Sequence, residues 1–126
     1  MEHDLNLVFR QARDAVESLL GKYGFRIIRE VYDHASFGSA QVEYRHRAYW
    51  LRLTWDGKEG QLELEGAISP DQHVPPDASA WHSLGPTQSS GSRLEPGPTT
   101  DVHIAELLTQ IELFRASKAK VTESEA

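Results

Sequence analysis

The stretch Tyr49-Trp50-Leu51-Arg52-Leu53-Thr54-Trp55-Asp56-Gly57-Lys58-Glu59-Gly60-Gln61-Leu62-Glu63-Leu64-Glu65 reads as two strands and a turn. Tyr49, Leu51, Leu53 and Trp55 alternate with Trp50, Arg52 and Thr54. Leu62 and Leu64 alternate with Gln61, Glu63 and Glu65. A period of two sends successive side chains to opposite faces, one dry and one wet. Asp56-Gly57 tolerates the positive φ of a tight hairpin. The stretch therefore predicts an antiparallel pair with one apolar face, which another layer must cover.

Two more strands precede this pair. Phe25, Ile27 and Val31 alternate with Arg26, Glu30 and Tyr32, although Ile28 and Arg29 break the alternation. Residues 37–44 form the next apolar-polar run, in which Gly38 admits a close neighbour. His34-Ala35-Ser36 and Arg45-His46-Arg47-Ala48 are the connections. Links this short join antiparallel strands, since parallel ones need a long crossover.

The covering layer comes from two helices. Leu5, Val8, Phe9, Ala12, Val16, Leu19 and Leu20 recur at helical spacing, with Arg10, Arg13, Asp14 and Glu17 on the other side. Asp4 is the expected N-cap, and Gly21 and Gly24 end the helix near residue 21. Ile104, Leu107, Leu108, Ile111 and Phe114 form a second stripe, with Thr100 or Asp101 as its cap.

All six prolines fall between Pro70 and Pro98, among glycines and serines. Residues 69–100 are thus a long Pro/Gly/Ser-rich loop. Residues 85–97 read as its most mobile part, and Trp81 and Leu84 argue for order elsewhere in it. The expected fold is α+β: an N-terminal helix, a four-stranded antiparallel meander, the long loop, and a C-terminal helix packed with the first on one sheet face. Residues 1–116 form one domain, and 117–126 a flexible polar tail.

At 126 residues the chain buries roughly two thirds of its unfolded surface, enough for a core without staples. It has no cysteine, which removes disulfide and thiolate chemistry and fits a reducing compartment. Its apolar runs are too short to span a bilayer, and its acidic start lacks the pattern of a secretory signal. A cytoplasmic, bacterial protein is expected, with no membrane partner. The net charge is −6, and most of the excess acid lies after residue 68, where four basic residues face eight acidic ones. Such a balance repels phosphate backbones, so no nucleic-acid partner is expected.

No catalytic motif is legible. The six histidines include no helical i, i+4 pair, and Asp71, His73, Asp77 and His82 match no metal-ligand spacing. No serine lies in a nucleophile elbow. Arg45-His46-Arg47 beside Tyr44, Tyr49 and Trp50 is a basic-aromatic cluster, which ordinary hairpin-tip charge explains. No metal, cofactor or catalytic residue is expected.

The aromatic residues carry the binding expectation. If Leu51 and Leu53 face the helices, Trp50 and Arg52 face away from them. Trp beside Arg marks binding surfaces. Alternatively the loop folds over that face and Trp81 or Leu84 packs on Trp50. The candidate binding residues are Trp50, Arg52, Glu63, Glu65 and Trp81.

Tyr23-Gly24-Phe25, Phe37-Gly38-Ser39 and Leu51-Arg52-Leu53-Thr54-Trp55-Asp56-Gly57-Lys58-Glu59 carry a resemblance over about residues 5–66. The chain resembles small acidic uncharacterised bacterial α+β proteins, including immunity proteins of polymorphic toxin systems. The resemblance implies a non-enzymatic protein that occludes a partner's active site. The expected function is a non-enzymatic protein-binding or accessory protein. The alternatives are a self-associating structural homodimer, or a small-molecule-binding or hydrolytic module with a pocket between sheet and loop.

Overall fold

The computed structural model describes residues 7–33, 38–69, 76–85 and 93–125. The expected cap Asp4 and the turn at 34–36 lie outside them. The elements in chain order are helix α1 (Leu7–Lys22), strands β1 (Arg26–Asp33), β2 (Ser39–His46), β3 (Tyr49–Asp56), β4 (Gln61–Ile68) and β5 (His82–Ser83), and helix α2 (Pro98–Glu125). A short 3-10 turn at Ala78–Ala80 precedes β5. The fold is α+β, with an antiparallel sheet in the order β1-β2-β3-β4-β5.

The period-two pattern sets the core. Ala40, Val42 and Tyr44 of β2 are buried on the same face as Leu51, Leu53 and Trp55 of β3 and Leu62 and Leu64 of β4. Val8, Phe9, Ala12, Val16 and Leu20 of α1 close over this face. Ile104, Leu107, Ile111 and Phe114 of α2 do the same beside them. Both helices thus lie in one layer, and the opposite sheet face is left for other uses.

Among the described residues the sheet has five strands, not four. β5 is two residues long, so it has no periodicity to read. It forms because the chain doubles back along β4, with Ser83 opposite Glu65 and His82 opposite Gly66, and Leu84 N–H donating to the Leu64 carbonyl at 2.9 Å. Gly66 makes room for this return. A Cβ there would stand 3.0 Å from the Phe114 ring and 3.1 Å from Leu84, so α2 and the returning chain close in where a side chain is missing.

Three other local readings change. The β3–β4 connection is a four-residue loop, not a two-residue hairpin. Asp56 Oδ1 accepts from the N–H groups of Lys58 and Glu59 at 3.0 and 3.1 Å, and Gly60, not Gly57, takes the positive φ of 69°. Helix α2 starts at Pro98, ahead of the expected caps. Proline suits the first helical position because its missing N–H would have no partner there. The α2 backbone continues to Glu125, past the end of the apolar stripe at Phe114.

Residues 93–95 are held down. Leu94 is buried, its N–H donates to the Gly60 carbonyl at 2.8 Å, and Arg93 donates to the carbonyls of Lys58 and Gly57. The expectation of mobility without an apolar anchor fails at these residues, because Leu94 is that anchor. Residues 86–92 lie outside the described ones.

Candidate functional site on the outer sheet face

On the face away from the helices, Glu43, Arg52 and Glu65 stand opposite one another on β2, β3 and β4. Arg52 Nε donates to Glu65 Oε1 at 2.8 Å, and Arg52 Nη1 is 3.8 Å from Glu43 Oε2. These side chains are about four-fifths buried, with 21%, 15% and 20% of Arg52, Glu43 and Glu65 exposed. Arg52 thus sits between two carboxylates, and its charge is matched within the row.

Trp81 roofs this row. Asp77 caps the 3-10 turn by accepting from the Ser79 N–H at 3.1 Å and from its hydroxyl at 2.7 Å. The turn feeds β5, and pairing of β5 with β4 fixes where the preceding residue lies. The Arg52 guanidinium carbon is 4.1 Å from the Trp81 ring centroid, within cation–π range. Trp50 lies on the same face and is 5% exposed, with Arg45 over its ring at 5.8 Å. Trp50 is buried rather than displayed, while Leu84 lies beside Phe114 at Gly66 on the helix-covered face and not on Trp50. No exposed Trp50–Arg52 patch is displayed. The indole Nε1 of Trp50 is buried, with no hydrogen-bond partner among the described residues.

Between the roof and the exposed edge of the sheet runs an open groove of about 510 Å³. Trp50, Arg52 and Glu43 line its floor, Pro76, Ala78 and Trp81 one wall, and Ile28 and Arg29 the other. Four of the five expected binding residues meet here, Glu65 through its bond to Arg52. Glu63 does not line the groove. It is exposed opposite Thr54, and its carboxyl is pushed above the ordinary value by partial desolvation and by the charge of Glu65, against the pull of Arg52.

Ile28 and Arg29 were not among the expected site residues. Their signal is the broken alternation in β1. The structure turns it into a β-bulge, since the register to β2 slips between Ile27 and Arg29. The bulge turns Ile28 onto the groove wall. A second missed group lies behind the sheet. Tyr44 donates to Glu17 at 2.8 Å, Arg13 pairs with the same carboxylate at 2.7 Å, and Arg13 also reaches Glu30 at 2.7 Å. Burial and the Glu17 carboxylate push the Tyr44 phenol far above its ordinary value. This chain of contacts ties α1 to β1 and β2 and is structural.

The other candidates dissolve into structure. Asp77 is a cap, His82 lies against Phe114 at 6.2 Å, and Asp71 and His73 are outside the described residues. Among the described residues, no group of three His, Cys, Asp or Glu side chains could hold a metal. Arg45 donates to the Arg47 carbonyl and His46 packs on Phe25, so the basic cluster holds its own turn. Among the described residues no helix is long and apolar enough to cross a membrane. Comparison with protein-family models, curated proteins and solved structures finds no match.

Proposed function

We propose that this chain is a non-enzymatic binding or accessory protein whose outer-face groove takes a small molecule with a flat, largely apolar body. The observation that carries this reading is the roofed groove itself. Its volume of about 510 Å³ falls within the range of small-molecule sites. Its lining also has their composition, with aromatic and aliphatic walls and a few fixed polar groups. Arg52 is held between Glu43 and Glu65 and under Trp81, so the floor needs little reordering to receive a ligand. The one carboxylate of the described lining, Glu43, is engaged with Arg52 rather than left free to act as a base, which favours binding over hydrolysis.

The test uses 8-anilinonaphthalene-1-sulfonate, a flat apolar probe with one anionic group. The folded protein is expected to bind it saturably at one site, with a change in tryptophan emission. Trp81→Ala and Ile28→Glu should each weaken binding by about tenfold or more, as expected of groove-wall residues. Absence of saturable binding, or binding indifferent to both substitutions, overturns the reading.

A further inference from the structure

The two edges of the sheet differ. β5 at one edge is two residues long. β1 at the other runs eight residues, and among the described residues no strand pairs with its outer side. Arg26 to Val31 are all exposed, including Ile27, Ile28 and Val31 at 43%, 45% and 40%. Long edge strands are usually blunted by Pro, Lys or a cover, because their unpaired N–H and C=O groups recruit other strands. β1 has no Pro, its four charges are of both signs, and beyond the bulge at Ile28 its register from Arg29 onward is regular.

The charges of β1 point to its occupant. Arg26 and Arg29 fall in the first half of the strand, Glu30 and Asp33 in the second. A second β1 running antiparallel meets opposite charge at each end. A parallel one meets like charge. Two-fold symmetry narrows the register further. The axis stands normal to the sheet, and paired residues must share a face, so one position must pair with itself. Centring on Arg29 or Glu30 opposes like charges, which destabilises a pair. Centring on Val31 places Val31 against Val31, Glu30 against Tyr32, and Arg29 against position 33 of the other copy, an aspartate in the sequence. The register against β2 puts Arg29, Val31 and position 33 on one face, as this pairing needs. Arg29 is exposed, and among the described residues no ion pair engages it.

We propose that β1 pairs with β1 of a second copy, antiparallel about a two-fold axis at Val31, so that two five-stranded sheets join into one. Such isologous pairing closes after two copies and leaves β5 at both outer edges. Arg29 also lines the groove wall, so the pairing is measured with no ligand present.

Sedimentation of the full chain over a dilution series tests this. The wild type is expected to show a monomer–dimer equilibrium. Val31→Lys sets two ammonium groups face to face at the axis and should weaken dimerisation by about tenfold or more, with an unchanged melt at dilutions where both proteins are monomeric. Arg29→Asp should weaken it as well, and Arg29→Asp combined with Asp33→Arg should restore it. The restored variant keeps the test decisive if a single substitution disturbs folding. A chain that stays monomeric at every concentration overturns the proposal. So does a dimer unmoved by Val31→Lys, or a charge exchange that fails to restore pairing.

Discussion

Trp81 lies over the guanidinium of Arg52 at 4.1 Å, although the two are separated by a turn, a whole strand and a long loop. This contact joins the returning chain to the centre of the sheet. Cutting both residues separately and together should reveal a coupling of about 1 kcal/mol, the scale of a half-buried cation–π pair. Urea melts of Trp81→Ala, Arg52→Ala and the double variant measure it. Strict additivity contradicts the contact.

Trp50, on the same sheet face, is buried. Trp50→Ala should cost about 3 kcal/mol or more, as for other core aromatics. A loss below about 1 kcal/mol, the range of an exposed residue, would place Trp50 on the surface instead.

Arg93 is pinned against the β3–β4 loop, so trypsin should cut there slowly despite the surrounding Pro, Gly and Ser. Gly60 makes this possible. Its φ is 69°, and a Cβ there would lie 2.1 Å from Arg93 Cγ. Gly60→Ala should therefore strain the loop, displace Arg93, and cost about 1–3 kcal/mol. Faster tryptic cleavage after Arg93 is the readout. Equal cleavage rates in the two proteins contradict the clasp.

His103 is buried on α2, and burial pushes its pKa below the ordinary value, against the pull of a hydrogen bond with the Leu62 backbone and of Glu106. Its folded pKa is thus below its unfolded one, and folding favours the neutral ring. The stability this contributes is intact above the unfolded value of about 6.5 and begins to be lost as pH drops below it. The loss is complete once the pH has passed the folded value. Glu63, pushed upward, works in the opposite sense as acid is added. His103→Leu isolates the imidazole. Between about pH 7.5 and about pH 5 its stability should fall less than that of the wild type. An equal fall contradicts the assignment.

The elements with a repeating pattern were legible in the sequence. The alternation of Leu51, Leu53 and Trp55 marked β3, and the helical spacing from Ile104 to Phe114 marked α2, because burial of one face imposes a period. β5 was not legible, since His82 and Ser83 are too few to show one. Its position depends on Gly66, whose missing side chain matters only once α2 and Leu84 are in place. The candidate site was legible by residue type, through Trp50, Arg52 and Trp81. Its shape was not, because the groove depends on where the loop returns. Ile28 and Arg29 showed only as an irregularity in alternation, which the bulge converts into a wall.

Trp81 roofs the outer face above Arg52, and nuclear Overhauser spectroscopy of the full chain checks this contact. The ring protons of Trp81 should show cross-peaks to the Arg52 side chain, whose δ protons should be shifted upfield by the ring above them. Unshifted Arg52 protons with no cross-peak to Trp81 would leave the face unroofed, and the groove with it.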